Sequence, residues 1–141
     1  MNNCIFCRIA DKTIPCYLIY ENDNIMAFLD LSQSTKGHTL IIPKTHYENV
    51  FNLDEDTAAS LFKPVPKIAS AIKKAFNASG LNIVNNNGKV AGQSVFHFHI
   101  HLIPRYEENE GFKFTYQNNS HMYTEAAFHE LAKKIRAELI E

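Results

Sequence analysis

The sequence has no large excess of acidic or of basic residues, no internal repeat and no low-complexity segment. Its 141 residues carry 14 Lys and Arg against 15 Asp and Glu, a formal net charge of -1. Domains that bind a nucleic-acid backbone are usually strongly basic, which argues against a long polyanion as the main partner. The charge balance does not exclude a small phosphate ligand, because a few directed N–H groups can bind it. The ordinary composition, 45% hydrophobic and 21% charged, argues against a disordered or fibrous chain.

Membrane segments and export signals are also missing from the sequence. The longest apolar runs, such as residues 40–42, are far shorter than the roughly 20 residues that a spanning helix needs. The chain does not open with a basic segment followed by an apolar stretch. Cysteines number three, and this odd count fits a reducing compartment better than a disulfide framework. We therefore expect a cytoplasmic protein with a single domain over residues 1–141.

Short apolar segments bounded by polar or turn residues predict five strands. They lie at residues 17–20, 25–29, 38–42, 81–85 and 95–103. The polar residues 21–24 predict a hairpin between the first two strands, and Pro104 is expected to end the last. Strands that follow one another through short connections, with one long inserted helix, indicate an α+β domain on an antiparallel sheet.

Helical spacing of apolar residues extends over residues 54–76. Asn52 or Asp54 can cap the start of this helix, while Pro64 and Pro66 should kink or split it. Further helical patterns lie at residues 4–10 and 124–140, the latter with one apolar stripe and a polar opposite face.

Three of the seven histidines alternate with apolar residues in His97-Phe98-His99-Ile100-His101. Residues i, i+2 and i+4 of a strand share one face, so the three imidazoles should line one side. The opposite side, with Phe96, Phe98, Ile100 and Leu102, is then expected to face the core. A merely solvated face is a poor explanation, because such faces more often carry Thr, Lys, Glu or Ser.

A single metal ion held by all three imidazoles is also a poor explanation. His97 and His101 begin roughly 13 Å apart on a strand, whereas Zn–N bonds measure about 2.0–2.1 Å. One of the three histidines can still bind a metal ion together with ligands from elsewhere in the chain. Nucleophilic and acid–base chemistry is the remaining interpretation, since a central His can attack if its neighbours fix its tautomer.

The segment before the histidines suits a phosphate ligand. Residues 85–94 are rich in small and amide side chains, and Gly88 and Gly92 permit close backbone approach. Gln93 and Ser94 offer side-chain donors. Directed N–H and O–H groups beside an in-line nucleophile are what phosphoryl chemistry needs.

Residues 92–103 resemble the signature of the histidine triad nucleotide-binding proteins, in which His and apolar residues alternate. Residues 28–30 with 37–46 are similar to a second block of that family, and residues 4–9 with Ile14-Pro15 to its N-terminal block. The resemblance covers residues 4–105, and residues 106–141 form a C-terminal helical extension without matched motifs. It implies an α+β fold of about five antiparallel strands, and a homodimer in which two sheets join.

The resemblance further implies a hydrolase that cleaves the α-phosphate of purine nucleoside phosphoramidates or related AMP conjugates. His99 matches the nucleophile, whose nucleotidyl adduct water releases as AMP or GMP, and His101 donates to the phosphate or the leaving atom. The implied catalytic residues are His97, His99, His101 and Ser94. The implied nucleotide-binding residues are Asp30 for the ribose, Asn86, Gln93 and Ser94 in the loop, His99 and His101, and Phe6, Phe28 and Leu31 for the base.

The spacing of Cys4 and Cys7 suits a metal chelate or a redox pair. The redox interpretation is weaker, because no strand precedes the pair. The resemblance implies a structural zinc ion held by this pair with His46 and His97, and the alternative is two reduced cysteines. His38, at the start of a strand, is expected to be a hydrogen-bonding or structural residue.

The sequence contains no Trp, although some relatives use a C-terminal Trp to define the leaving-group pocket. The sequence therefore does not identify the leaving group, which can be an amine, an acyl group or a second nucleotide. One alternative function is a dinucleoside polyphosphate hydrolase. Others are a nucleotide-binding partner module with little turnover and a zinc-storage or zinc-structural protein.

Overall fold

The computed structural model describes residues 3–139, which contain five strands and four α-helices. The strands are β1 (Leu18–Glu21), β2 (Ile25–Leu29), β3 (Thr39–Pro43), β4 (Gly80–Val84) and β5 (Ile100–Arg105). The helices are α1 (Ile5–Ala10), α2 (Glu55–Phe62), α3 (Val65–Phe76) and α4 (Glu125–Glu138). Single 3-10 turns lie at Val50–Asn52, Lys89–Ala91 and Ser120–Met122.

All neighbouring strands run antiparallel in the order β1-β2-β3-β5-β4, which confirms the predicted α+β architecture. The predicted hairpin joins β1 to β2. Its turn is closed by Asn22 Oδ1, which accepts hydrogen bonds from the N–H groups of Asn24 and Ile25. The first four strands begin and end within one residue of the predicted bounds.

The predicted bounds of the last strand are wrong at both ends, since β5 begins at Ile100 and continues through Pro104 to Arg105. The strand begins late because β3 pairs only with residues 100–102. Just before it, the N–H of Phe98 donates instead to Tyr47 O at 2.6 Å. Pro104 is tolerated within the strand because it lies beyond the last pair with β3, where only β4 flanks β5.

Side chains of the triad segment alternate between two faces of the sheet, as predicted. Phe98, Ile100 and Leu102 are buried together with residues of α2 and α3. The rings of His97 and His99 instead contact Phe6 of α1, on the opposite face. The core position predicted for Phe96 is wrong: this residue is 41% exposed, because residues 95–97 form a bend rather than a strand.

The helix predicted over residues 54–76 is divided in two, as its prolines indicate. Asp54 caps α2 by accepting the N–H of Thr57 at 2.6 Å. Pro64 precedes α3 and Pro66 lies in its first turn, where a missing N–H needs no partner.

Two apolar clusters cover the two faces of β2 and β3, so both strands are buried on both sides. α2 and α3 cover one face, and α1 covers the other. The α1-side cluster contains Phe6, Ile9, Met26, Phe28, Leu40 and Ile42. Successive strand residues alternate faces, which explains why the central strands read as continuous apolar runs. The histidines of the triad lie on the α1 side.

The C-terminal segment leaves the sheet and ends in α4. The helix predicted over residues 124–140 is confirmed within the described residues, although residue 140 lies outside them. Thr124 Oγ1 caps the helix by accepting the N–H of Ala127 at 3.1 Å. Every residue of α4 is exposed or half-buried. Across residues 3–139, none of the helices has the length and apolar character to cross a membrane.

Candidate active site

Four predicted metal ligands meet beside α1: Cys4, Cys7, His46 and His97. Their ligand atoms all lie within 4.8 Å of one another. Cys7 Sγ is 3.3 Å from His46 Nδ1 and 3.4 Å from His97 Nδ1. Cys4 Sγ is 3.3 Å from His97 Nδ1, and the two Nδ1 atoms are 3.2 Å apart. Residues distant in the sequence thus form one compact donor set, which we call the metal cluster.

The spacing in the metal cluster fits a tetrahedral zinc ion. With Zn–S bonds of about 2.3 Å and Zn–N bonds of about 2.0–2.1 Å, two nitrogens lie about 3.3 Å apart, and a sulfur and a nitrogen about 3.5 Å apart. The separations in the structure are 3.2–3.4 Å. Two cysteines with two histidines are also a common ligand set of structural zinc sites. The residues present therefore fit this ion.

Hydrogen bonding and burial prepare His97 as a ligand. Its Nε2 donates to the backbone carbonyl of Pro43 at 2.8 Å, which leaves the lone pair on Nδ1, facing the thiols. Burial lowers the pKa of His97 to about 4 against the opposing effect of the Pro43 carbonyl, so the imidazole is neutral at pH 7. Burial also raises the pKa of the Cys7 thiol to about 11, helped by Cys4. A bound metal must therefore displace a thiol proton.

His99 is 6% exposed, and its two ring nitrogens have different environments. Nδ1 donates to the backbone carbonyl of His97 at 2.8 Å, so the lone pair resides on Nε2. Burial lowers the pKa of His99, with the His97 carbonyl and Asp30 opposing, and the ring is neutral at pH 7. Asn85 Nδ2 donates to the backbone carbonyl of His99 at 2.8 Å and holds this residue in place. A neutral imidazole with one anchored nitrogen is the form that a nucleophile requires.

His101 is hydrogen-bonded to His38, and a backbone group decides the tautomers of both. The N–H of Ser34 donates to His38 Nδ1 at 3.1 Å, so the proton of neutral His38 resides on Nε2. That Nε2 donates to His101 Nδ1 at 2.9 Å, which leaves the proton of His101 on its own Nε2. His38 thus has the hydrogen-bonding role expected from the sequence, but at the candidate site.

The carboxylate of Asp30 lies beside this pair. Its Oδ2 is 3.5 Å from His38 Nε2 and 4.0 Å from His101 Nδ1, and its Oδ1 accepts the N–H of Ser32 at 2.8 Å. Burial, helped by His99 and His38 and opposed by Asp30, lowers the pKa of His101 to about 4. Burial likewise lowers the pKa of His38. Both imidazoles are therefore neutral at pH 7.

His99 and His101 line a cleft of about 430 Å³. Its volume lies in the usual range of small-molecule sites, about 300–1,000 Å³. The other predicted nucleotide-binding residues that line it are Asp30, Ser94, Phe6, Phe28 and Leu31, joined by Ile9, Ile14, Leu40 and Val95. One wall is thus apolar, and the other holds hydroxyl, carboxylate and imidazole groups.

The loop between β4 and β5 does not bring every predicted residue to the cleft. Gln93 is 4% exposed, and its Oε1 accepts the N–H of Gly88 at 2.8 Å. Its Nε2 donates to the backbone carbonyls of Glu48 and Val95, at 2.7 and 3.0 Å. The amide of Gln93 therefore braces the loop, and neither Gln93 nor Asn86 lines the cleft.

Glycine at two positions permits the loop conformation. Gly88 and Gly92 have φ angles of 92° and 93°, in the left-handed region that other residues rarely adopt. The backbone N–H groups of Ala91 and Gln93 both donate to Gly88 O, so the loop closes on itself just before Ser94.

Two sequence comparisons show which proteins this chain is similar to. The family model of the HIT domain matches residues 11–108. The chain is 52% identical over 121 residues to Protein hit of Bacillus subtilis, covering 86% of this chain and 83% of that protein. It is 38% identical over 109 residues to adenosine 5'-monophosphoramidase hnt1 of Schizosaccharomyces pombe, covering 77% of this chain and 79% of that protein.

Solved structures similar to this chain also belong to HIT proteins. A HIT family protein from Bacillus anthracis is 50% identical and superimposes with a TM-score of 0.96 over 99% of each chain. A Zn-bound histidine triad family protein from Mycobacterium smegmatis is 33% identical, with a TM-score of 0.74 over 94% of this chain and 98% of that one. The fold is that of HIT proteins, and the chain belongs to the histidine triad (HIT) family.

Proposed function

We propose that this protein hydrolyses purine nucleoside phosphoramidates or related AMP conjugates at the α-phosphate, through a nucleotidyl-histidine intermediate on His99. The observation that carries the proposal is the free Nε2 lone pair of His99 beside the cleft, with Nδ1 anchored to the His97 carbonyl. The likeness to a protein named adenosine 5'-monophosphoramidase supports a phosphoramidate as the substrate class.

The lining of the cleft suits the parts of a nucleotide. Phe6, Phe28 and Leu31 form the apolar wall that receives the purine base. The Asp30 carboxylate accepts hydrogen bonds from the ribose hydroxyls. The hydroxyl of Ser94 and the loop that ends there bind the phosphate, while Gln93 and Asn86 act from behind by shaping the loop.

In the first step, the Nε2 lone pair of His99 attacks phosphorus as the bond to the leaving nitrogen breaks. The developing charge on the imidazole is stabilised by the His97 carbonyl that Nδ1 donates to. A bound anionic phosphate raises the pKa of neighbouring imidazoles, so the His38–His101 pair takes up one proton with the substrate. His101 passes that proton to the departing amine, which leaves with the bonding electron pair.

In the second step, water attacks the same phosphorus and His99 leaves with its electron pair. The proton lost by the water returns to His101, AMP forms, and the site is restored. Each step breaks one bond to phosphorus in a site where the attacking imidazole is already oriented, which is the advantage of a covalent intermediate.

We propose that Cys4, Cys7, His46 and His97 hold a structural zinc ion. Their donor geometry and the likeness to a Zn-bound family member support this assignment. When bound, the ion cross-links the start of the chain to His97. Because the backbone carbonyl of His97 anchors His99, the metal cluster supports the nucleophile without contacting the phosphate.

We also propose a cytoplasmic homodimer in which two sheets join at their edges. β1 and β4 are the edge strands, and exposed edges of this kind readily pair with another chain. The chain has three cysteines, and this odd count suits a reducing compartment better than a disulfide framework.

The test is incubation of the full chain with an AMP–amine conjugate and, separately, with a diadenosine polyphosphate. We expect AMP from the conjugate, and a transient adenylyl group on the peptide that contains His99, both measured by mass spectrometry. Faster cleavage of the diadenosine compound would favour the dinucleoside polyphosphate hydrolase. Tight AMP binding without product or adduct would overturn the proposed activity in favour of a nucleotide-binding module.

A further inference from the structure

The loop between β2 and β3, residues 30–38, carries two groups of the candidate site and a third that controls them. Asp30 is its first residue and His38 its last. In its middle, the N–H of Ser34 donates to His38 Nδ1 at 3.1 Å, and His38 Nε2 donates to His101 Nδ1 at 2.9 Å. The position of the Ser34 amide therefore decides which nitrogen of His101 carries the proton.

Hydrogen bonds within this loop hold its two ends together. Gln33 Nε2 donates to the backbone carbonyls of Asp30 and His38, at 2.5 and 2.7 Å. Its Oε1 accepts the N–H of Gly37 at 2.8 Å. The N–H of Asp30 also donates to the carbonyl of His38 at 3.0 Å. These bonds fix the backbone at both ends of the loop, and Ser34 lies between the ends that they join.

The middle of the loop is bound to the end of β5 and to residues 106–111 after it, which we call the exit segment. The Thr35 hydroxyl donates to the backbone carbonyl of Pro104 at 2.7 Å, and both residues are buried. The phenol of Tyr106 donates to the backbone carbonyl of Lys36 at 2.5 Å. The two residues that follow Ser34 are thus held from outside the loop.

Gly111 brings the exit segment against Ser34 itself. A Cβ at Gly111 would overlap the backbone carbonyl oxygen of Ser34 and would lie 3.0 Å from its carbonyl carbon. A Cβ at Gly80, by contrast, would have no atom of the described residues within 4 Å. Glycine at position 111 therefore permits a close backbone contact that a side chain would prevent. A larger residue there must displace Ser34 or the exit segment.

The carboxylate of Glu110 fixes the path of the exit segment up to this contact. Its Oε2 accepts the N–H groups of Tyr106 and Glu107, at 2.9 and 3.1 Å. The same oxygen accepts Arg105 Nε at 2.9 Å, and Arg105 Nη1 donates to Asn82 Oδ1 on β4 at 2.8 Å. Because three donors converge on one oxygen, the exit segment is tied to the sheet one residue before it reaches the loop.

We propose that the exit segment positions the Ser34 amide for proton delivery by His101, with Gly111 and Tyr106 as positioning residues. This inference rests on the proposed hydrolase, in which His101 protonates the departing amine. The bond from Ser34 to His38 measures 3.1 Å, close to the usual upper limit of about 3.2 Å. A small displacement of Ser34 therefore breaks it, and the proton of neutral His38 can then move to Nδ1. His101 in turn holds its proton on Nδ1, bonded to His38 and unavailable to the leaving amine.

The first test compares two substrates with a different need for that proton. The AMP conjugate of an alkylamine needs protonation of the departing nitrogen. The conjugate of 4-nitroaniline needs it far less, because the ring withdraws the developing charge. Single-turnover amine release is measured for the full wild-type chain, Gly111→Ala and the matched control Gly80→Ala. We expect Gly111→Ala to slow release about tenfold for the alkylamine and less than about threefold for the nitroaniline, with the control within about twofold of wild type on both.

A milder variant keeps the test decisive if Gly111→Ala does not fold. Tyr106→Phe removes the hydroxyl that donates to Lys36 O and retains the ring. We expect it to slow release of the alkylamine about threefold and to leave release of the nitroaniline unchanged. Circular dichroism and the Tm show which variants are folded. Equal losses on the two substrates, or no loss on either, would overturn the inference, because a general loss of structure affects both substrates alike.

The second test needs no turnover. Long-range proton–nitrogen NMR spectra of the isotope-labelled full chain at neutral pH show which ring nitrogen of His101 carries the proton, and His101→Gln identifies its signals. We expect the proton on Nε2 in the wild type and in Gly80→Ala, and partly on Nδ1 in Gly111→Ala. An unchanged tautomer in folded Gly111→Ala would overturn the inference.

The two tests separate this inference from the proposed function. A wild-type chain that releases no amine would overturn the hydrolase, whereas the NMR spectra would still show whether Gly111 controls the tautomer of His101. Amine release by the wild type, together with one and the same tautomer in every folded variant, would retain the hydrolase and overturn the role of the exit segment.

Discussion

The metal cluster and the proposed nucleophile are close in the chain, but their histidines, His97 and His99, present opposite ring nitrogens. His97 donates from Nε2 to Pro43 O and presents Nδ1 to the two thiols. His99, two residues later, donates from Nδ1 to His97 O and presents Nε2 to the cleft. The backbone carbonyl that each ring reaches decides which lone pair is available. One imidazole is therefore suited to a metal and the other to phosphorus.

The largest expected effect comes from removing the cleft-side lone pair. His99→Gly should lower kcat for the AMP–amine conjugate at least about 10⁴-fold, because the proposed covalent intermediate forms on this residue. The substitution faces the cleft, so we expect an unchanged circular dichroism spectrum. His129→Ala, on exposed α4, is the matched control and should retain full activity. Wild-type turnover by His99→Gly would show that another group is the nucleophile.

A smaller loss of activity is expected when the hydrogen bond that fixes the tautomer of His101 is removed. His38→Leu removes the donor to His101 Nδ1 and should lower kcat about 10- to 100-fold, with little change in KM. His38→Gln retains an N–H group near the same place and should recover most of that loss. Steady-state kinetics of both variants decide the point. Equal losses in the two variants would indicate that His38 only fills space.

The carboxylate near the histidines should affect binding more selectively. Asp30→Ala should weaken the binding of AMP at least about tenfold, since a hydrogen bond to a charged group contributes about 1.5–3 kcal/mol. The binding of 2′-deoxy-AMP should weaken less, because one of the two hydroxyls is already missing. Calorimetric titration of both nucleotides measures the difference. Equal weakening of the two ligands would remove the ribose role of Asp30.

The pH dependence tests whether His99, the proposed nucleophile, is neutral before substrate binds. Burial lowers the pKa of His99 below its ordinary value of 6.5. Protonation blocks Nε2, so activity should persist as pH falls through 6.5 and decline only at lower pH. We expect kcat/KM not to fall as the pH drops from 8 to 6.5, and to decline only below the lowered pKa of His99. An acidic limb centred above pH 6.5 would contradict this environment.

The smallest effect on activity is expected at the metal cluster. Cys4→Ser with Cys7→Ser should abolish zinc binding and lower the Tm by at least about 10 °C, because metal bound only to the folded state stabilises it. At 15 °C kcat should stay within about tenfold of the wild type. Cys16→Ser is the matched control and should retain one zinc per chain by elemental analysis. A metal-free wild-type preparation with the same Tm would exclude a structural zinc site.

Much of the fold follows from local patterns in the sequence. The apolar segments of β2 and β3, the polar turn at residues 21–24 and the prolines at 64 and 66 each act over a few residues, and the structure agrees with them. The first residue of β5 could not be predicted from a local pattern of this kind. It depends on where the pairing with β3 stops, at Ile41 and Ile100, and on the bond from Phe98 N–H to Tyr47 O, and the alternating pattern contains neither.

The sequence by itself also determined the types of residue at the site. The alternating histidines, the Cys4–Cys7 spacing and the glycines of the loop are visible without coordinates, because each reflects local chemistry. The family resemblance adds an expected role for each of them.

Only the tertiary structure decided how those residues are connected. It placed His46 3.2 Å from His97, linked Ser34 through His38 to His101, and directed the Gln93 amide into the loop. It also left the stripe of α4 open to solvent, although the same pattern usually marks a helix packed on its own core. These outcomes depend on contacts between residues far apart in the chain. Local periodicity cannot specify them, because it records which face is apolar and not what that face meets.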